Sequence, residues 1–249
     1  MNIFKKKKTI LECYTPLDYI ARHFPVEQAS KNKPKAFLDM PAQIKAPANY
    51  TACPYSKLIN NRKMNTIRSC DGILDMWSRS YILTAPFDVA INVKNNKIEY
   101  QSTNPSLHPL SQHPSSQFTP LFSGYANVKI VIPWKFISNK SFYWMFSPAI
   151  YHLDEDIRNS VLIPPGIVNY KYVHSTNINL LIKLQEEQKV IHIKTGTPLV
   201  YLTPMTTEPV DIHIKTVERT YWEGLENQTI GFKSVYKFLK RRDKVQSDT

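Results

Sequence analysis

Between Val161 and Val217 the chain alternates apolar and polar residues in short runs. The runs read VLIPPGIVNYKYVH, STNINLLIKL, KVIHIKTGTPLVYLTPM and VDIHIKTV, separated by Pro, Gly, Asn or charged turns. A period of two lets a strand bury one face and wet the other. Several such runs in succession predict a mainly β chain folded as an antiparallel β-sandwich or jelly roll of double-stranded β-helix type. In this reading Ile191, Ile193, Ile212 and Ile214 face inward. With the three strands 189–194, 198–203 and 211–215 as sequential neighbours, His192, Lys194, His213 and Lys215 share one basic sheet face, expected to be solvated. Gly196 supplies the turn between the first two strands.

Local signals place the remaining elements. A strand is expected over Thr9–Tyr14. Leu17, Ile20, Ala21 and Phe24 fall at helical spacing behind Pro16, and Pro25 ends that helix. Prolines at 34, 41, 47 and 54 break any periodicity, so residues 1–60 read as an irregular arm anchored by Phe37, Leu38, Met40 and Ile44. The β domain then spans 61–228. Asp71 is the expected N-cap of a short helix near 71–80, with Ile73, Leu74, Met76 and Trp77 as its stripe. Val93–Ile98 carries a hairpin signal in Asn95-Asn96. Asn104–Thr119, with His108 and His113, reads as a long surface loop. Asn127–Ile137 is strand, and the aromatic run Phe142–Phe146 is expected in the core. A basic amphipathic helix is predicted over 229–243, with a tail at 244–249.

Composition narrows the function classes. Eighteen prolines against six glycines leave little room for glycine-rich nucleotide-binding loops. Three cysteines, Cys13, Cys53 and Cys70, form no CxxC pair and fit a reduced compartment with buried thiols. The sequence shows no signal peptide and no apolar run long enough for membrane insertion. A net charge of +12 concentrates near the termini, which makes nucleic-acid binding one reading.

The segment Thr66-Ile-Arg-Ser-Cys70-Asp-Gly72-Ile73 followed by Tyr81, Pro86 and Asp88 resembles a group of uncharacterised proteins from marine tailed phages. So do the basic opening Phe4–Lys8 and the turns Ile163–Gly166 and Gly196–Leu199. Those relatives commonly carry proline where this chain has Asp71. The resemblance covers most of the chain and implies a viral setting, in the virion or the host cytoplasm, with no active site attached.

Three functions follow. The leading expectation is a non-catalytic phage protein without cofactor, associating with itself or with another phage or host protein. An enzymatic alternative is an Fe(II)/2-oxoglutarate or cupin-like oxygenase. His152, Asp154 and His213 would be its metal ligands and Arg219 would hold the co-substrate carboxylate; Asn169 stands where a second cupin motif needs histidine. The third is nucleic-acid binding through the basic termini.

Overall fold

Asn95 and Asn96 both adopt positive φ, 50° and 56°, the left-handed pair that a tight hairpin turn demands and asparagine tolerates. They join two strands in the expected register, with Lys94 opposite Lys97. In the computed structural model, residues 8–45, 63–103, 110–118 and 120–230 are described. Contacts separate Gln28–Ser80 from the rest as a compact unit of its own. The division departs from the expected boundary near residue 60. The first strand belongs to the larger unit because its alternating face is paired there on both edges.

In chain order the elements begin with β1 (Thr9–Thr15), α1 (Asp18–His23) and β2 (Glu27–Gln28). The small unit holds α2 (Lys35–Asp39), β3 (Gln43–Lys45), β4 (Lys63–Asn65) and α3 (Asp71–Arg79). The larger unit resumes with β5 (Tyr81–Thr84), β6 (Val89–Lys94), β7 (Lys97–Ser102), β8 (Leu110–His113), β9 (Tyr125–Ser138) and β10 (Trp144–Pro148). It continues with α4 (Glu155–Ser160), β11 (Val161–Leu162), β12 (Gly166–Val168), β13 (Ser175–Lys183) and β14 (Lys189–Ile193). β15 (Pro198–Pro204), β16 (Val210–Thr216) and α5 (Arg219–Ile230) complete it.

The chain is mainly β, with several sheets that are mostly antiparallel. One runs β11-β13-β9-β1-β16 with β8 also on β9, a second β12-β10-β15-β5-β2, and a third β14-β6-β7. β9 is the spine of the first. Along one edge it carries β13; along the other, β8 covers Asn127–Ile130 and β1 covers Lys135–Ser138. Pro133 sits where that second edge is vacant and where β13 jumps from Val131 to Lys135. Proline lacks the ladder donor, so a bulge is the position it fits within a sheet.

The expected meander is corrected here. β14 pairs β6, β15 pairs β5 and β10, and β16 runs parallel to β1. Three consecutive strands thus enter three sheets, because the turn at Lys194–Thr197 leads the chain out of one sheet into the next. Ile191 and Ile193 are buried as expected. Ile212 is half-buried and Ile214 is 37% exposed. β16 is an edge strand whose second half is exposed on both faces, so alternation there does not translate into burial.

One apolar core joins residues of all three large-unit sheets, among them Leu11, Leu83, Ile91, Ile130, Trp144 and Leu202. Trp144 is fully buried, with Phe142, Tyr170 and Tyr81 rings 5.3, 5.9 and 6.1 Å away. Such aromatic contacts add about 0.5–1.5 kcal/mol each beyond area burial. Of the aromatic run, Trp144 is core and Phe142 and Phe146 pack on it, whereas Met145 is exposed, so the expectation holds only for alternate residues.

Other expectations shift. Asp71 is the first helical residue of α3 and Cys70 takes the N-cap position. Residues 110–113 of the expected loop form β8 on β9, and His108 lies outside the described residues. In the small unit Phe37 is buried edge-on against Trp77 at 4.6 Å, whereas Leu38 and Ile44 are exposed. The sequence missed α5; of the helix expected over 229–243, only 229–230 lie in described structure, and 231–249 lie outside it.

Gly166 faces Phe146 across the β12–β10 pair, and a Cβ there would stand 2.3 Å from the ring. Gly166→Ala is expected to lower unfolding free energy by about 1–3 kcal/mol, measured by urea denaturation, without changing the strand content seen by circular dichroism.

Candidate functional site

The turn Lys194–Thr197 is fixed by chemistry from far along the chain. Asp88 Oδ1 accepts from both the backbone N–H and the hydroxyl of Thr195, at 2.7 Å each. These two donors hold its carboxyl below the usual range, although the residue is exposed. Gly196 has φ 84°, and a Cβ would meet the Phe24 ring at 2.3 Å. Glycine is required twice at this position, by conformation and by space. Gly196 N–H donates to Ala85, Ala85 N–H to Thr197, and Thr103 N–H to Asp88.

This rigid corner separates two adjoining depressions. One, about 400 Å³, is lined by Asp88, Gln101, Ser102, Thr103, His192 and Lys194. The other, about 420 Å³, is lined by Leu17, Asp18, Tyr19, Pro86, Phe87 and Thr195. Thr103 lines both, so the two adjoin as one groove, with His192 and Lys194 at one end and Tyr19 and Leu17 at the other. His192 and Lys194, two of the expected basic-face residues, belong to this groove and are exposed.

His213 and Lys215 lie elsewhere, on β16 in a different sheet. Strand pairing therefore separates the expected four-residue basic face into two pairs. Register places Lys215, Tyr14, Lys135 and Ser175 in one row across β16, β1, β9 and β13. Lys215 Nζ bonds Glu12 Oε1 at 2.6 Å, and the Tyr14 hydroxyl donates to Glu12 Oε2. Lys215 and Tyr14 hold the Glu12 carboxyl below its ordinary pKa, with a smaller contribution from His213. Burial, followed by the Glu12 carboxylate, pushes the Tyr14 phenol up. Lys135 is buried in the sheet, donates to Ser175 Oγ at 2.7 Å, and lies 4.4 Å from the Trp222 ring of α5. His174 Nδ1 stands 3.4 Å from the Leu225 carbonyl. This network fastens an edge strand and a helix to the sheet.

The expected metal set is not brought together. His152 and Asp154 sit in the turn before α4, off any strand, and His152 Nδ1 bonds the Tyr201 hydroxyl at 2.7 Å. Asp154 is the N-cap residue of α4. His213 is on the β16 edge strand, and Arg219 pairs with Glu223 within α5 at 2.7 Å. Among the described residues no three His, Cys, Asp or Glu side chains gather as metal ligands. The His-x-Asp spacing shares a face only on a strand, and here it spans a turn. Asn169 is buried and donates to Ser141 Oγ. Cys13 is buried and its thiol is pushed up by burial, whereas Cys70 is exposed, contrary to expectation.

A third surface lies at the edge of the second sheet. Ile167 of edge strand β12 stands opposite Met145 of β10, which stands opposite Thr203 of β15. Ile167 is 61% exposed, Met145 38% and Met205 58%. Strand alternation puts Tyr143 and Met145 on that same outer face, whereas Ser147 stands opposite the buried Tyr201; no charged residue enters the row Ile167–Met145–Thr203.

Scanned against protein-family models the chain matches none, and no curated protein matches it. The sequence alone missed the groove, since its walls come from residues distant in the chain. The only local traces are Pro16-Leu17 and Pro86-Phe87, each a proline ahead of an apolar wall residue.

Among the described residues His174, Glu12 and the Asp88 carboxyl respond to acid. Burial lowers the His174 pKa, reinforced by the Lys135 charge and opposed by the Leu225 carbonyl. Its contribution is present above the ordinary histidine value near ~6.5 and is lost as pH falls through the lowered one. Glu12 behaves likewise at lower pH: its contribution is complete above roughly 4.3 and lost as pH falls through its depressed pKa. Chemical denaturation as a function of pH is expected to show two acid limbs. His174→Gln removes the upper limb, and Glu12→Gln reduces the lower, which the Asp88 carboxyl shares.

Proposed function

We propose that this is a non-catalytic, phage-encoded protein, built as an antiparallel β-sandwich of jelly-roll type, that acts in assembly by associating with further copies of itself. The phage setting rests on the motif resemblance around Cys70 and at the Gly166 and Gly196 turns. The sandwich reading is supported by the core shared among the faces of three sheets.

The observation that carries self-association is the uncharged strip of Ile167, Met145 and Met205 beside the edge strand β12. A chain of net charge +12 repels its own copies. Two copies meet with least repulsion on a face that holds no charge, and there the contact also removes apolar surface from water. An edge strand adds backbone donors and acceptors for pairing.

Sedimentation at micromolar protein is expected to give a discrete oligomer, and Ile167→Lys together with Met145→Lys to give a folded monomer. A native protein that stays monomeric at the highest soluble concentration would overturn the proposal.

A further inference from the structure

The groove beside α1 is a separate feature, and its chemistry names a ligand class. We propose that it binds an extended acidic segment of a partner protein, with an apolar or proline residue at the Tyr19–Phe87 end and a carboxylate at the His192–Lys194 end.

Charge is the first argument. Both carboxylates that line the groove are already engaged: Asp18 with Arg22 Nε at 2.8 Å, and Asp88 with Thr195. The side chains of His192 and Lys194 are exposed and make no hydrogen bond or ion pair among the described residues. Lys194 and Asp88 line the same depression, and no ion pair joins them among the described residues. Gln101 and Thr103 add side chains able to donate around the same end. That end is therefore provided with donors for an incoming carboxylate.

Shape is the second argument. The other end presents Tyr19, 53% exposed, against Pro16, Leu17, Pro86 and Phe87. Flat aromatic and proline walls suit a rigid extended peptide, whose ordering cost on binding is low. The corner between the two ends is pre-formed by the Asp88–Thr195 bonds and by Gly196 against Phe24, so binding spends little on ordering the receptor. A nucleic-acid strand fits less well, because its regularly spaced phosphates would run past both Asp18 and Asp88. A peptide presents its carboxylate once and apolar atoms elsewhere.

The test uses the full chain and a proline-rich peptide about ten residues long with a single glutamate near one end, carrying a neutral dye; in its lysine–proline counterpart lysine replaces that glutamate. The lysine–proline counterpart and an oligothymidine of similar length serve as comparators. Fluorescence anisotropy is expected to show saturable binding of the acidic peptide, weakened roughly tenfold or more by Lys194→Glu and several-fold by Tyr19→Ala. The lysine–proline peptide should not bind. Amide NMR shifts on binding should cluster at Ser102, Thr103 and Thr195, which also verifies that each variant is folded. Affinity unchanged by Lys194→Glu would place the peptide on the basic termini and overturn the proposal. Tighter, Lys194-dependent binding of oligothymidine would overturn it in favour of nucleic acid. Neither result depends on oligomeric state, so this site and the self-association strip stand or fall separately.

Discussion

A fourteen-residue strand has to satisfy its backbone hydrogen bonds on both edges while its buried face supplies much of a core. β9 meets both demands at once. Val128, Ile130, Ile132 and Phe136 are essentially excluded from water, and each neighbouring strand is set in register by the same alternation. β13 pairs along one edge, and β8 and β1 share the other end to end. Pro133 occupies the junction, where no donor is wanted. An unpaired buried amide costs about 1–3 kcal/mol, so this arrangement leaves few alternatives for where β1 and β8 can lie. Placing β1 in turn places β16, and with it the Glu12–Lys215–Tyr14 cluster.

What the sequence disclosed follows the range of the interaction. The Asn95-Asn96 hairpin, α1, α3 and the burial of Trp144 were legible because their causes lie within a few residues: left-handed tolerance, helical spacing, aromatic density. The partners of β14, β15 and β16 were not. β16 pairs with a strand about two hundred residues earlier, and period-two patterning states which face is buried without naming the neighbour. Ile191 and Ile214 have the same local pattern, yet one lies in a covered sheet and the other on an open edge.

The same limit governed the sites. His192 and Lys194 were chosen for their alternation and lie in the groove, but the Asp88 contact that shapes it spans 107 residues. His152 and Asp154 would share a face only on a strand, and a helix-starting turn stands there instead. The two proposed surfaces lie at corners where sheets exchange strands: the Gly196 turn between β14 and β15, and the Pro164-Pro165 link between β11 and β12. Both are short, proline- or glycine-bearing connections that the β pattern itself requires.

Native-state amide hydrogen exchange tests the role assigned to β9 most directly. The amides of β9 and β13 should exchange only through global unfolding, with a common free energy, while those of the second half of β16 exchange faster through local opening. Protection of β16 that equals or exceeds that of β9 would contradict this account of how the sheets are organised.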